Sequence, residues 1–112
     1  MPRRPESSYL DDIRKAAELA LSFVQGIDRK QFETALMCQS AVMRQLEIIG
    51  EAAKNISPTF RASHPEVPWK KMAGLRDILI HAYHDLDLDW IWETVQNDLA
   101  PLLFCIKPLL PP

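Results

Sequence analysis

The chain has 112 residues and a mass of 12.8 kDa, which is enough for one hydrophobic core and too little for two. Hydrophobic residues make up 47% of it and charged residues 25%, which is typical of a globular domain and excludes a disordered or collagen-like chain. Because thirteen Lys and Arg oppose fifteen Asp and Glu, the net charge of −2 excludes a nucleic-acid surface built on overall basicity. Any polyanion site must therefore be local.

No stretch of the sequence approaches the roughly 20 apolar residues that cross a bilayer, and the N-terminus shows no apolar signal-peptide core. We therefore expect a cytoplasmic protein without a membrane partner. The two cysteines, Cys38 and Cys105, are far apart and lack CxxC or CxxH spacing, which predicts reduced thiols that face the core. The three histidines also lack a zinc-binding spacing, so we expect neither a metal nor a cofactor.

The first predicted helix spans about residues 8–25. Prolines concentrate near the chain ends and in one central stretch, and this leaves long uninterrupted segments that suit helices. The helix begins at Ser7 or Ser8, its apolar residues recur every three or four positions, and Gly26 ends it. Its apolar face consists of Leu10, Ile13, Ala17, Ala20 or Leu21, and Val24.

A second, longer helix is predicted from an N-cap at Asp28 to Ile56, and Gln39 is the one polar member of its main apolar stripe. A neighbouring stripe widens the apolar face, so this helix should be buried on more than one side and central to the fold. A glycine inside a helix costs about 1 kcal/mol relative to Ala, and close approach of another backbone is the usual compensation. We therefore expect a helix crossing at Gly50. The neighbouring stripe consists of Leu36, Met43 and Gly50.

The central proline-rich stretch separates the second helix from the third. Ser57 and Pro58 can cap and start a short turn, and residues 61–68 predict a connector rather than a strand. The third helix then begins near Trp69, follows the same three-four apolar spacing and ends before the polar run at His84.

The last predicted helix is capped by Asp87 or Asp89 and carries an apolar face over residues 88–109. Pro101 should bend it, because the proline ring blocks one internal hydrogen bond. No segment predicts a strand. Four main helices with mostly short connectors predict an all-α, up-and-down bundle that forms a single domain over residues 1–112.

The densest group of chemically active side chains lies in the third predicted helix and consists of Arg76, Asp77, His81 and Tyr83. Asp77 and His81 are one turn apart, so the carboxylate can hold one imidazole nitrogen and fix its tautomer. Arg76 and His81 differ by about 140° around the helix axis, so one helix does not easily aim both at one atom. A second copy of the helix across a twofold axis would bring both groups into one cleft.

An arginine and a histidine without metal ligands suit phosphoryl chemistry. The imidazole accepts a proton from a hydroxyl while the guanidinium stabilises the charge that develops on the phosphate. RNA supplies the hydroxyl itself, because its 2′-OH can attack the neighbouring phosphodiester. From spacing alone, the commoner interpretation is a salt-bridged surface or a satisfied buried network, so catalysis stays one of two open hypotheses.

Three blocks of the sequence together resemble one family. The segment RDILIHAY at 76–83 resembles the Arg-x4-His-x-Tyr signature of the HepT-like toxins, a branch of the HEPN ribonucleases. Residues 44–57 are similar to the central-helix block of that family, and residues 67–75 resemble its lead-in to the catalytic helix. The resemblance covers about residues 9–110, which is nearly the whole chain.

The resemblance implies a HEPN-like bundle that dimerises through the motif helix and cleaves RNA without metal, as the toxin of a type VII-like toxin–antitoxin pair. Arg76 and His81 would be the catalytic pair, supported by Asp77, where the family often has Asn. The antitoxin would be an MntA-like nucleotidyltransferase that silences the toxin by transferring AMP to Tyr83. An adenylate on Tyr83 would share the helix face of Arg76 and block the cleft.

Further positions complete the prediction, and alternatives remain open. The candidate RNA contacts are Lys70, Lys71, Arg44 and His84, each of which also fits a solvated surface. Arg3-Arg4 is interpreted as a frayed terminus. The consecutive residues 78–80 (Ile-Leu-Ile) exceed what one bundle face requires and indicate a homodimer.

The alternatives are a non-catalytic HEPN module that presents a nucleotide or substrate to a nucleotidyltransferase, and a helical adaptor. RNA, not DNA, is the expected nucleic acid.

Overall fold

The computed structural model describes residues 4–81 and 87–112, with the backbone alone at His81. Every regular element in these ranges is helical, as the sequence predicts, and none of these helices is long and apolar enough to cross a membrane. The elements are α1 (Glu6–Phe23), α2 (Arg29–Thr34), α3 (Leu36–Asn55), α4 (Pro58–Ser63), α5 (Trp69–His81), α6 (Leu88–Asn97), α7 (Leu99–Ile106) and a 3-10 turn at Lys107–Leu109.

The bundle is organised around α3, which packs against α1 and α5, while α7 closes the core against α1. The predicted apolar face of α1 is buried, and so is the main stripe of α3. Burial of these stripes removes apolar surface from water and supplies the main driving force for folding. The core residues of α3 and α7 include Val42, Leu46, Ile49, Ala53, Leu99, Leu102 and Ile106.

Helices α3 and α5 cross at Gly50, which confirms the predicted helix crossing. A Cβ atom placed on Gly50 would lie 2.6 Å from the backbone nitrogen of Arg76 and 2.8 Å from its Cβ. These distances are too short for any side chain, so only glycine lets the two backbones approach this closely. The glycine thereby fixes where the backbone of Arg76 lies.

Side-chain caps begin the helices at the predicted positions. Asp28 accepts a hydrogen bond from the backbone nitrogen of Gln31, whose side chain accepts one in return from the Asp28 backbone. Ser57 caps α4, and Asp87 rather than Asp89 caps α6. Helix α1 differs from the prediction, because it begins at Glu6 and its N-cap is Pro5.

The second predicted helix is two helices, because the chain turns at Ala35 with φ −90° and ψ 76°. The buried amide of Gln39 donates to the backbone carbonyls of Phe32, at 2.8 Å, and Glu33, at 2.9 Å. In a continuous helix each of these carbonyls would accept a hydrogen bond from the backbone N–H four residues later. The Gln39 side chain therefore replaces two helical hydrogen bonds. The turn also leaves Leu36 72% exposed, so its predicted place on a buried stripe is wrong.

The last predicted helix is interrupted at Asp98, which separates α6 from α7. Pro101 explains the interruption, because it lacks the N–H that would donate to the carbonyl of Asn97. The proline itself lies in the first turn of α7, where a backbone N–H has no helical partner in any case. The predicted effect of Pro101 is therefore found three residues before the proline.

Both cysteines are free and half-buried at the edge of the core, in agreement with the predicted reduced thiols. The Cys38 thiol donates to the backbone carbonyl of Phe23 at 3.4 Å, and the Cys105 thiol to that of Glu66 at 3.7 Å. Burial raises the pKa of the Cys38 thiol above its ordinary value. Cys38 is therefore a weak nucleophile at neutral pH.

Candidate functional site

A pocket of about 370 Å³ opens between α1, α3 and α5, and Arg76 lines it from α5. Ile48 and Ala52 of α3 give it an apolar floor, and Tyr9 of α1 contributes an aromatic ring. Three arginines and three carboxylates also line the pocket, so its polar lining has no net charge. The pocket can therefore form both hydrogen bonds and ion pairs with a ligand, but its total charge does not attract anions in general.

The guanidinium of Arg76 is turned toward α3 by an ion pair with Glu51. The Nε atom of Arg76 lies 2.8 Å from Oε2 of Glu51, and the Arg76 side chain is 38% exposed. On the other side, Nη1 of Arg76 is 3.9 Å from Oδ1 of Asp77, which is too long for a hydrogen bond. Arg76 is thus a half-exposed cation held at one edge, a geometry that suits phosphate recognition.

Asp77 forms a closer contact with Lys54 of α3, whose Nζ atom donates to Oδ1 at 2.6 Å. This cation offsets the negative charge that Asp77 brings next to Arg76. The predicted contact between Asp77 and the His81 imidazole involves a side chain outside the described residues. Helix α5 runs without a break from Arg76 to His81, so the two positions keep the five-residue helical spacing of the sequence.

Arg44 lies on α3 and faces the same pocket, paired with Glu47 at 3.5 Å between Nη1 and Oε2. Of the candidate RNA contacts whose side chains the structure describes, Arg44 lines the pocket together with Arg76, and Lys70 and Lys71 do not. Arg4 is not a frayed residue as predicted. Its Nη1 atom donates to Asp12 at 2.7 Å, and this bond raises the pKa of Arg4.

Lys70 and Lys71 lie at the start of α5, outside the lining of the Arg76 pocket. Lys71 pairs with Asp98 at 3.1 Å, so it faces α7. Lys70 is exposed beside a shallow depression near Trp69. The fold thus brings Arg44 and Arg76 together and points Lys71 elsewhere.

Three predicted site positions lie outside what the structure describes: the side chain of His81, and the whole of Tyr83 and His84. Their predicted roles stay predictions. Among the described side chains, no three His, Cys, Asp or Glu lie close enough together to hold a metal ion.

Two of the exposed side chains of α5 beyond Arg76 are aliphatic, and they follow the exposed Asp77. Ile78 and Ile80 are 46% and 45% exposed, while Leu79 packs against the core between them. The two isoleucines are two residues apart, so they lie on different faces of the helix and do not form one patch. Their exposure agrees with the apolar excess noted in the sequence.

The sequence patterns did not reveal Glu51, Lys54 and Tyr9 as parts of the site. Glu51 directly follows Gly50, and Lys54 lies one turn further along α3. Once Gly50 is taken as the crossing point, charged residues within one turn of it are the ones that can reach the partner helix. Tyr9 carried no such signal, because its place depends on how α1 packs.

The described residues form an all-α bundle with an arginine at the central helix crossing and a histidine five residues later on the same helix. These features fit the HEPN-type class that the sequence resembles. The model of the family described as "Ribonuclease HepT-like" matches residues 13–109. The chain therefore belongs to the HepT-like family.

Named relatives agree with this assignment. The chain is 46% identical over 100 residues to "Probable ribonuclease HepT" of Thermococcus cleftensis, a match that covers 89% of this chain and 91% of the relative. It is 42% identical over 102 residues to "Putative RNase MJ1380" of Methanocaldococcus jannaschii, with 91% and 94% covered. It is 40% identical over 102 residues to "Putative RNase TTE0752" of Caldanaerobacter subterraneus, with 91% of each covered. No solved structure matches the chain.

Proposed function

We propose that this protein is a metal-independent endoribonuclease that acts in the cytoplasm as the toxin of a HepT/MntA-type toxin–antitoxin pair. The observation that carries the proposal is the placement of Arg76. It is half-exposed, its backbone is fixed by the Gly50 crossing, and it lines a pocket on the helix that bears His81. The names of the relatives, which describe ribonucleases, support the same activity.

The reaction needs one base and one cation. The His81 imidazole accepts the proton of a 2′-OH, whose oxygen attacks the adjacent phosphorus while Arg76 stabilises the charge on the phosphate oxygens. The bond between phosphorus and the 5′-oxygen breaks, the leaving oxygen takes up a proton from water, and the His81 imidazolium returns its proton to solvent. The products are a 2′,3′-cyclic phosphate and a 5′-hydroxyl. Asp77 supports the reaction by orienting the imidazole.

A homodimer completes the proposed site. Because Arg76 and His81 are about 140° apart around one helix, a twofold axis beside α5 lets the two copies share a cleft. The exposed Ile78 is an apolar side chain that such a contact would cover, whereas Ile80 lies about 200° away around the helix. We expect sedimentation equilibrium to give a dimer mass, and Ile78→Asp to give a monomer with little RNA cleavage. A monomeric wild-type protein that cleaves RNA contradicts the shared cleft.

RNA is expected to follow the cations around this cleft. Arg44 lies in the same pocket as Arg76, so we assign it the main additional phosphate contact. Lys70, Lys71 and His84 are proposed as outer contacts.

The central test is cleavage of a labelled single-stranded RNA by the purified protein in the presence of EDTA. Arg76→Ala and His81→Ala should each lower the rate by about 100-fold or more, as expected when a group that acts in the transition state is removed. Arg14→Ala, which removes a half-buried, ion-paired arginine of α1 outside the Arg76 pocket, is the matched control. Products with 5′-phosphate ends, or cleavage that survives both variants, contradict the mechanism.

Regulation is proposed to act through Tyr83. Co-expression with an MntA-like nucleotidyltransferase should add AMP units to the protein and suppress its RNA cleavage, and Tyr83→Phe should prevent both changes. Intact mass and a cleavage assay on the same sample check this. A modified protein that still cleaves RNA at the unmodified rate contradicts inhibition through Tyr83.

One observation favours the non-catalytic alternative, a module that binds a nucleotide. The 370 Å³ pocket is within the size range of small-molecule sites, and its lining offers an aromatic ring and paired charges. Calorimetry with AMP separates the two candidates. Tight AMP binding by a protein without RNA cleavage favours the module, whereas cleavage without AMP binding favours the ribonuclease.

A further inference from the structure

Four charged side chains form a chain across the crossing of α3 and α5. Glu51 and Lys54 come from α3, and Arg76 and Asp77 come from α5. Glu51 contacts Arg76 at 2.8 Å, and Lys54 contacts Asp77 at 2.6 Å. Each residue of the α5 pair therefore has its own partner of opposite charge on α3.

The Gly50 crossing fixes the backbone of Arg76 but leaves its side chain free to rotate. An arginine has several rotatable bonds, and holding all of them in one arrangement carries an entropic cost. Glu51 is the residue next to Gly50, so its backbone is held at the point where the two helices touch, and its side chain starts within reach of Arg76. Its contact with Nε restrains the inner end of the guanidinium and leaves the two terminal nitrogens at the outer end.

Lys54 prevents a competing arrangement. The same Oδ1 atom of Asp77 lies 2.6 Å from Lys54 and 3.9 Å from Nη1 of Arg76. A carboxylate without a cation of its own would be drawn onto the neighbouring guanidinium and would occupy the nitrogens that a phosphate needs. Lys54 thus leaves the outer end of Arg76 available.

We propose that Glu51 is a positioning residue for Arg76: it holds the guanidinium with its terminal nitrogens directed at the substrate phosphate, while Lys54 keeps Asp77 away from them. This rests on the proposed ribonuclease function. Glu51 does not touch the RNA and acts through Arg76 alone.

The direction in which kcat changes when Glu51 is replaced distinguishes a positioning role from an effect of its negative charge alone. A carboxylate near a phosphate site repels RNA, so a Glu51 with no other role would weaken binding, and its removal would improve cleavage. A positioning role predicts the opposite for turnover, because a misdirected guanidinium stabilises the transition state less well. Glu51→Gln removes the charge and keeps the shape of the side chain.

The experiment measures kcat and KM for cleavage of a labelled single-stranded RNA by the wild type, Glu51→Gln and a control. We expect Glu51→Gln to lower kcat by about fivefold, the scale of one partly exposed ion pair, with KM unchanged or lower. The control is Glu18→Gln, which removes a carboxylate charge from partly exposed ion pairs with Arg14, at 3.0 Å, and Lys107, at 3.8 Å, away from the pocket. It should change neither constant.

A second readout does not depend on cleavage. In ¹⁵N-labelled protein, the order parameter of the Arg76 Nε–H, whose signal is identified by its loss in Arg76→Lys, should fall in Glu51→Gln and stay unchanged in Glu18→Gln. Circular dichroism checks that both variants keep the helical fold.

The outcomes separate the two proposals. If the wild type does not cleave RNA, the proposed function fails, and the order parameter of the Arg76 Nε–H alone decides whether Glu51 restrains the guanidinium. If the wild type cleaves RNA but kcat of Glu51→Gln is unchanged or higher, the positioning role is overturned and the ribonuclease stands. An unchanged order parameter of the Arg76 Nε–H in Glu51→Gln overturns it as well.

Discussion

The region where α7 packs against the core and the region where α3 crosses α5 are held by different kinds of contact. Where α7 closes the core, the contacts are aliphatic and fully buried, as at Leu99 and Ile106. Where α3 crosses α5, a glycine brings the backbones together and half-exposed ion pairs surround the contact. Buried aliphatic contacts contribute far more stability than exposed ion pairs do. The first region should therefore govern folding, and the second should govern activity.

The strongest way to break this comparison is a cavity at the α7 region. Ile106→Ala should lower the free energy of unfolding by about 2–5 kcal/mol, because Ile106 is fully buried and the core cannot fill the space. Urea denaturation measures the change, and the exposed neighbour Lys107→Ala is the control. RNA cleavage per folded molecule should stay at the wild-type level, and a large loss of turnover would show that the regions are coupled.

The crossing itself gives the next largest effect. Gly50→Ala should lower the free energy of unfolding by about 1–2 kcal/mol, because overpacking against the Arg76 backbone outweighs the gain of about 1 kcal/mol from the better helix former. It should also reduce RNA cleavage, since α5 must move.

Gly74→Ala is the matched control for this substitution. A Cβ at Gly74 meets nothing within 4 Å, so the same change should stabilise the protein by up to about 1 kcal/mol. Equal effects at the two glycines, in unfolding and in cleavage, would contradict a tight crossing.

A smaller effect, on the KM for RNA, tests which side of α5 belongs to the active region. Arg44→Gln should raise KM for RNA by about threefold to tenfold, because Arg44 shares the pocket of Arg76. Lys71→Gln should raise it by less than about twofold, since Lys71 is paired with Asp98 on the α7 side. Initial rates at several RNA concentrations decide this, and a larger effect at Lys71 would place the RNA along the other side of α5.

The smallest effect concerns the Cys38 thiol. Its raised pKa means that less thiolate is present at a given pH than in a free cysteine. Alkylation of Cys38 at pH 7.5, followed by peptide mass spectrometry, should therefore be slower than that of glutathione and should accelerate as the pH rises above 9. Urea should remove the difference, and alkylation at the glutathione rate in the folded protein contradicts the effect of burial.

Local chemistry explains how much of the fold was predictable. The caps at Asp28, Ser57 and Asp87 and the crossing at Gly50 follow from rules that need only a few neighbouring residues. The turn at Ala35 does not, because no glycine or proline marks it. It depends on a buried amide four residues later that competes for the helical carbonyls.

The site was predictable in part for the same reason. Arg76 lies on a helix whose start and spacing were evident, and Arg44 faces it because the central stripe fixes the orientation of α3. Glu51 and Lys54 look like ordinary surface charges in the sequence. Their partners lie 25 and 23 residues away along the chain, so the pairs become visible only once the helices cross.

Gln39 has a consequence for which sequences this bundle tolerates. Its position belongs to an otherwise apolar stripe, where exchange among aliphatic residues is ordinarily mild. Here the side chain supplies hydrogen-bond donors to two carbonyls at once, so Glu, which lacks the amide donors, and Leu, which has no polar atom, both lose these two bonds and leave the Phe32 carbonyl with only the Ala35 backbone as donor. Position 39 therefore tolerates fewer substitutions than the apolar positions of the same stripe.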